Sequence, residues 1–212
     1  MRARQRRAPA KPDVFFMLYG IVLAGGKSSR LGQDKARLRF KGQDLLQRSV
    51  ALLQKICPST WVVGRDASAH GLDVSWMLDD IPGIGPMGGI ITALKRLNAS
   101  CLVISCDLPF LTDKMLARLV DARNRIGYRK PMTVFWDEAS GFIESLVAVY
   151  ESWSLELLES SFKKGCYQLS RAIGPAFRCH VPYGKAEKKY FVNINYPEDI
   201  KLLMAMAPSC QR

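Results

Sequence analysis

Residues able to bind phosphate gather between positions 25 and 35, in the stretch "GGKSSRLGQDK". Gly25 and Gly26 carry no side chain, so their backbone N–H groups can approach phosphate oxygens closely. Arg30 can bind such oxygens through two parallel hydrogen bonds, and Lys35 can meet another as a point charge. This chemistry predicts a nucleoside triphosphate site. The spacing fits neither the P-loop nor G-x-G-x-x-G, so taken alone the stretch is also compatible with a solvent-exposed turn.

Two further motifs place aspartates next to candidate strand ends. In "LDDIPGIGPMGGI", Asp79 and Asp80 precede a turn rich in glycine and proline. The backbone polar groups of such a turn could contact a flat nucleotide base, or the turn could serve only as a structural crossover between a strand and a helix. In "CLVISCDLPFL", Asp107 follows the most apolar strand candidate. Ligands of open parallel sheets bind outside the strand ends, so Asp107 is predicted to hold Mg²⁺ on phosphates, with a turn or helix cap as the alternative.

A pair of amides lies near the carboxyl terminus, in "FVNINYPEDI". Asn193 and Asn195 are predicted to share one face of a short strand ahead of a helix that begins at Pro197. The amides suit contact with a metal or an acceptor ligand, and equally suit hydrogen bonds to the loop backbone.

The positioning of these residues depends on elements that the apolar periodicity predicts. Strands are predicted over 16–23, 60–64, 73–78, 100–106, 130–136, 144–150, 176–181 and 190–195, and helices over 44–56, 87–97, 112–125, 154–164 and from 197. In the third strand Val74, Trp76 and Leu78 alternate, and Thr112 is a candidate N-cap. Alternation of strands and helices predicts an α/β protein with a mostly parallel sheet between two helical layers.

The composition limits the classes of protein to which the chain can belong. The chain has 212 residues, 48% of them hydrophobic, and a net charge of +12, with five basic residues among the first thirteen. We predict a disordered basic arm over 1–13 and one globular unit over 14–212. No apolar run reaches membrane-spanning length. The six cysteines and two histidines show no C-x-x-C pair or zinc-like spacing, which favours a reduced, cytoplasmic compartment.

The amino-terminal apolar run also has the features of a secretory signal. Basic residues precede it, and the small residues Ala24, Gly25 and Gly26 follow it, as at a cleavage site. Cleavage there would remove both a strand and the first glycines of the phosphate-binding stretch. We therefore predict a buried first strand from about Phe16 to Leu23.

Taken together, four motifs resemble those of the nucleotidyltransferases typified by molybdenum cofactor guanylyltransferase. "LAGGKSSRLGQDKA" is similar to the pattern L-A-G-G-x-S-x-R-M-G-x-D-K-A, and "DDIPGIGPMGGI", "SCDLPFL" and "FVNINYPEDI" follow in the order of the family's remaining motifs. The resemblance covers 17–203. Leu31, Met87 and Tyr196 depart from the pattern conservatively. Gly64 stands where relatives often carry asparagine, which puts one nucleotide contact in doubt.

The resemblance implies a three-layer αβα, Rossmann-like nucleotidyltransferase domain whose amino-terminal part binds nucleotide and whose carboxyl-terminal part binds acceptor. It implies transfer of GMP from GTP to molybdopterin or molybdenum cofactor. By motif, the nucleotide-binding residues are Leu23, Ala24, Gly25, Gly26, Lys35, Asp79 and Asp107, the catalytic residues are Arg30, Lys35 and Asp107, and the acceptor-binding residues are Asn193 and Asn195. Asp107 would bind Mg²⁺. Proteins of molybdenum insertion and molybdoenzyme maturation are implied partners, while a membrane or nucleic acid is not expected.

Two alternatives stay open at this point. One is a related nucleotidyltransferase that uses CTP or another phosphorylated acceptor. The other belongs to a different class, a nucleic-acid-binding protein, because the chain is basic and tyrosines lie among lysines at 163–167 and 185–190. An anionic acceptor explains the same lysines.

Overall fold

The sequence folds into alternating strands and helices. A computed structural model describes residues 17–25, 35–40, 42–194 and 199. Along the chain the elements are β1 (Leu18–Leu23), β2 (Arg39–Phe40), β3 (Gln43–Asp44), α1 (Leu45–Gln54), β4 (Thr60–Val63), β5 (Ser75–Met77), α2 (Pro86–Leu97), β6 (Ser100–Ser105), α3 (Asp113–Arg125), β7 (Met132–Asp137), β8 (Ile143–Tyr150), α4 (Ser154–Lys163), α5 (Leu169–Ala172) and β9 (Arg178–Tyr183). Short 3-10 helices cover Lys35–Arg37, Ser68–His70, Pro175–Phe177 and Lys185–Phe191.

Seven strands form the central sheet, in the order β5-β4-β1-β6-β8-β7-β9. The strands β5, β4, β1 and β6 pair in parallel, and β7 pairs in parallel with β9. Strand β8 pairs antiparallel with both β6 and β7, so it alone runs in the opposite direction. The carboxyl ends of the other six strands therefore meet at one edge, together with the start of β8.

Helices cover both faces of this sheet. Alternation along β1 sends Val22 into a core shared with α1 and α3, and Ile21 into a core shared with α2 and α4. Along β6, Ile104 joins the first core and Val103 the second. The three layers and the mostly parallel sheet confirm the fold class predicted from the sequence.

The helix ends use the caps that their sequences provide. Asp44 and Gln47 form a capping box that begins α1, and the Thr112 hydroxyl accepts a hydrogen bond from the Met115 N–H at the start of α3, as predicted. Pro86 occupies the first turn of α2. Each cap fixes where a helix leaves the loop that precedes it. No helix in the described ranges is both long and apolar enough to cross a membrane.

Two predicted elements differ from the structure. In β5 the buried residue is Met77, whereas Trp76 and Leu78 are exposed. This strand lies at the edge of the sheet, next to β4. The strand predicted over 190–195 is wrong for its described part, because Lys185–Phe191 is a 3-10 helix and 192–194 has no regular structure. This segment turns back over the sheet edge, where the Ile194 N–H donates to the Asp107 carbonyl at 3.0 Å.

Candidate active site

Four neighbouring strands deliver chemically distinct residues to the carboxyl edge of the sheet. Asp79 follows β5, Gly64 follows β4, Gly25 follows β1 and Asp107 follows β6. Adjacent strands lie about 4.8 Å apart, so three strand spacings, about 14 Å, separate the two aspartate-bearing strands. The edge thus presents a carboxylate, two glycines and a second carboxylate in a row.

The two glycines are in backbone contact. Gly64 has a φ of 96°, and its N–H donates to the Met77 carbonyl at 2.8 Å. A Cβ atom added to Gly64 would lie 2.5 Å from the Gly25 Cα and 2.6 Å from the Gly25 nitrogen. Both the backbone conformation and the close approach therefore require glycine. The family resemblance leads us to expect asparagine at position 64. In this chain the close approach of Gly25 leaves no space for any Cβ atom there.

Asp79 lies beside these glycines. Its Oδ2 would be 3.4 Å from a Cβ on Gly25, and its Oδ1 would be 3.2 Å from a Cβ on Gly89 of α2. Oδ1 is buried, and no described residue donates a hydrogen bond to it. Burial and then the neighbouring Asp80 raise the pKa of Asp79. A buried acceptor without a donor is costly, so this carboxylate is suited to a ligand that brings N–H groups.

Asp80 faces the other way. Its carboxylate pairs with the Arg96 guanidinium of α2, and its N–H donates to the Thr92 hydroxyl at 2.9 Å. The hydrogen bond from Arg96 lowers the pKa of Asp80, so this carboxylate is charged and already paired. The structure thus distinguishes two adjacent aspartates between which only the motif spacing favoured Asp79, because only Asp79 faces the glycines.

Leu23 and Ala24 hold the end of β1 in place. The Ala24 N–H donates to the Val63 carbonyl at 2.9 Å, and the Leu23 carbonyl accepts from the Cys106 N–H at 3.1 Å. Ala24 is buried and Gly25 is exposed. The chain therefore leaves the sheet at Gly25, with its backbone open to a ligand.

Arg65, which the sequence motifs did not single out, fixes this exit. Its Nε donates to the Ala24 carbonyl at 2.7 Å, and its Nη1 lies 3.2 Å from His70 Nε2. His70 Nδ1 lies 3.3 Å from an oxygen of Asp44, the cap of α1. A neutral imidazole protonated on Nδ1 satisfies both contacts. The signal available in the sequence was that Arg65 directly follows Gly64, the glycine at the end of a predicted strand.

We expect Arg65→Met to lower the free energy of unfolding by about 1–3 kcal/mol, because the Ala24 carbonyl loses its charged donor. Urea unfolding at neutral pH measures the change. Arg129→Met, on an exposed side chain, is the matched control and should change stability by less than about 0.5 kcal/mol. Equal losses in the two variants would contradict a specific role for Arg65.

Asp107 is held at the end of β6 by its neighbours. The Ser105 hydroxyl donates to its Oδ1 at 2.6 Å, and its carbonyl accepts from the Ile194 N–H. Asn193, exposed beside Ile194, therefore lies near Asp107. Oxygen ligands of this kind fit Mg²⁺, which commonly takes one or two carboxylates and completes its shell with water and substrate phosphates. The described residues contain no cluster of three metal-ligating side chains.

Several predicted site residues lie outside the described residues: Gly26, Arg30 and Asn195, together with the Lys35 side chain. The Lys35 backbone begins a 3-10 helix, and the next residue, Ala36, is fully buried in the core next to α1. The predicted phosphate-binding stretch is thus anchored at Gly25 and again at Ala36.

A second group of polar side chains occupies the same edge beyond β6. Asp137, at the end of β7, accepts from the Ser140 hydroxyl and forms a 2.7 Å ion pair with Lys188. Glu144, near the start of β8, accepts a 2.6 Å hydrogen bond from the Tyr183 hydroxyl at the end of β9. The sequence motifs missed this group because its members come from three separate strands, one loop and one 3-10 helix.

Known proteins resemble this chain over most of its length. Residues 20–175 match the model of the MobA-like NTP transferase domain. A probable molybdenum cofactor guanylyltransferase of Chloroflexus aggregans is 34% identical over 91% of this chain and 96% of its own, and one of Thermococcus gammatolerans is 31% identical over 86% and 97%. The crystal structure of molybdopterin-guanine dinucleotide biosynthesis protein A from Archaeoglobus fulgidus shares the fold, with a TM-score of 0.70, 24% identity and coverage of 89% and 97%. These matches confirm the resemblance seen in the motifs.

Proposed function

The chain belongs to the MobA-like NTP transferase family, and on that premise we propose that it transfers GMP from GTP to the phosphate of molybdopterin or molybdenum cofactor. The products are pyrophosphate and the guanine dinucleotide form of the cofactor. Relatives at 31–34% identity carry the name of this activity. The observation in this chain that carries the proposal is the buried Asp79 Oδ1, which has no donor among the described residues and lies beside Gly89, while Oδ2 lies beside Gly25.

Guanine supplies the donors that Asp79 lacks. Its Watson–Crick edge presents a ring N–H and an amino group side by side, which suits a carboxylate that accepts two hydrogen bonds. Gly25, Gly64 and Gly89 carry no side chain, so the backbone packs closely around Asp79 at this edge. We propose that the base lies against the exposed backbone at Gly25. Leu23 and Ala24 then line the nucleoside, and the triphosphate extends along the edge toward Asp107.

The reaction we propose is an in-line displacement at the α-phosphorus of GTP. A phosphate oxygen of the acceptor forms the new bond to phosphorus, and the bond to the pyrophosphate oxygen breaks. The backbone N–H groups of Gly25 and Gly26, together with Arg30, would bind the leaving phosphates, and Lys35 would offset charge near the α-phosphate. Positioning and charge stabilisation supply most of the rate in such transfers.

Asp107, supported by Ser105, is the residue we propose to hold Mg²⁺. Its carboxylate would orient the ion against phosphate oxygens, and Asn193 and Asn195 would orient the acceptor beside it. When bound, Mg²⁺ supplies positive charge that neutralises phosphate oxygens in the transition state.

The nucleotide assignment predicts opposite results for two adjacent aspartates. Asp79→Asn should weaken GTP binding about 10- to 100-fold, because an amide cannot accept from both guanine donors and one charged hydrogen bond contributes about 1.5–3 kcal/mol. Isothermal titration calorimetry with GTP, CTP, ATP and UTP in the presence of Mg²⁺ measures this.

Asp80→Asn is the matched control, since Asp80 is paired with Arg96 and does not face the glycines. It should leave GTP affinity within about threefold of the wild type, a difference of less than 1 kcal/mol. Tighter binding of CTP than GTP by the wild-type chain would overturn guanylyl transfer in favour of cytidylyl transfer.

The setting we propose is the cytoplasm, where reduced thiols persist. Cys57 and Cys101 are free and buried, and burial raises the pKa of the Cys57 thiol to about 12. Proteins that insert molybdenum or mature molybdoenzymes are the partners this activity would need. Neither a membrane nor nucleic acid is required for the proposed reaction.

A further inference from the structure

Glu144 is a further carboxylate at the carboxyl edge of the sheet. Its side chain is half-buried, and its Oε1 accepts the 2.6 Å hydrogen bond from Tyr183. Tyr183 is itself buried, with ring centroids 4.5 Å from Phe191 and 6.2 Å from Phe135. A rigid donor therefore fixes the orientation of the Glu144 carboxylate.

The sheet register puts Glu144 on the acceptor side of Asp107. Strands β6 and β8 pair antiparallel, and the last pair before the edge is Ile104 with Val147. Asp107 lies three residues beyond Ile104, and Glu144 lies three residues before Val147. Both carboxylates thus emerge at the same edge from adjacent strands, and Glu144 lies on the side of Asp107 away from Asp79.

Unlike its neighbour Asp137, Glu144 forms no ion pair with a described residue. Asp137 is paired with Lys188, whose hydrogen bond lowers the pKa of Asp137. Burial raises the pKa of Glu144, the hydrogen bond from Tyr183 opposes that rise, and the charge of Asp137 adds to it. No described residue donates to the Glu144 Oε2. A half-buried carboxylate in this state is stabilised by a ligand that brings hydrogen-bond donors.

We propose that Glu144 recognises the 2-amino-4-oxo edge of a pterin by accepting hydrogen bonds from its ring N3–H and its 2-amino group. The inference rests on the proposed function for the identity of the acceptor, a pterin phosphate. A pterin and guanine present the same pair of donors, so Asp79 and Glu144 would bind like edges on opposite sides of Asp107. Phe142, two residues before Glu144, is 61% exposed.

The test compares two fluorescent probes that differ at this edge. Pterin (2-amino-4-oxopteridine) carries the amino donor, whereas lumazine (2,4-dioxopteridine) carries a carbonyl oxygen in its place. The wild-type chain should bind pterin at least about tenfold more tightly than lumazine, as expected for a charged hydrogen bond. In Glu144→Gln the preference should fall below about threefold, because an amide cannot accept both donors.

Glu156→Gln, an exposed glutamate on α4, is the matched control and should retain the wild-type preference. Thermal melting of each variant verifies that it is folded. Retention of the pterin preference by folded Glu144→Gln overturns the inference. So does a wild-type chain that binds both probes equally, or neither at millimolar concentration.

The probe measurement needs neither GTP nor turnover, so its outcome is separable from the proposed function. A chain that transfers GMP to molybdopterin while Glu144→Gln keeps the pterin preference would refute the inference alone. A chain that fails to bind GTP, but loses its pterin preference in Glu144→Gln, would refute the proposed function and support the pterin site.

Discussion

Asp107→Ala should reduce the rate of GMP transfer at least about a hundredfold, as expected when one group that stabilises developing charge is removed. The substitution deletes the carboxylate that we propose to hold Mg²⁺, while the Asp107 carbonyl still accepts from the Ile194 N–H. The fold should therefore persist. Pyrophosphate release with GTP, acceptor and saturating Mg²⁺ measures the rate.

Asp121→Ala, on an exposed position of α3, is the control for loss of an aspartate. It should transfer GMP at the wild-type rate. If purified Asp107→Ala melts like the wild type and keeps more than about a tenth of the activity, a difference of less than about 1.4 kcal/mol in the barrier, Asp107 is not the metal-binding residue.

Gly64→Ala should destabilise the chain by about 3 kcal/mol or more, because the added Cβ combines an unfavourable φ with overlap on the Gly25 backbone. For a chain of this size such a loss lowers the melting temperature by about 6–12 °C. Displacement of Gly25 should also weaken GTP binding. Thermal melting and calorimetry of the same sample report both effects.

Gly83→Ala separates the two causes of that loss. Gly83 has a similar φ of 88°, but an added Cβ would meet nothing within 4 Å. Gly83→Ala should lower the free energy of unfolding only by the cost of the unfavourable φ, about 1 kcal/mol. Gly64→Asn should be as harmful as alanine here, because its Cβ occupies the same place. A tolerated Gly64→Asn would show that Gly25 moves easily.

The sequence was sufficient for most strands of the central sheet and for the longer helices that cover it. Runs such as "LYGIVL" and "SCLVIS" are too apolar for any position but the sheet interior, and aspartates that directly follow such runs must lie near the carboxyl edge. The alternation of strands and helices then predicted the layers. These inferences depend on local pattern alone.

Contacts between segments that are distant in the sequence could not be predicted from it. Which of Asp79 and Asp80 faces the glycines depends on Arg96. Arg96 lies sixteen residues after Asp80 and pairs with it, so that Asp79 alone lies beside the glycines. The role of Arg65 depends on Ala24, which lies forty-one positions earlier. Glu144 was missed for the same reason, since its partner Tyr183 reaches it only through the pairing of β8 with β7 and of β7 with β9.

The reversed strand β8 has a consequence for synthesis on the ribosome. Strands β5, β4, β1 and β6 can pair as soon as residue 105 is available, but β7 has no place in the sheet until β8, which ends at Tyr150, lies between it and β6. Chain growth at about 5–20 residues per second makes this interval of about 45 residues last roughly 2 to 9 seconds. During that time β6 is an unpaired edge, open to other chains. The four strands β5, β4, β1 and β6 can thus pair before β8, β7 and β9 join them, and we expect nascent chains to be most prone to aggregate between the two events.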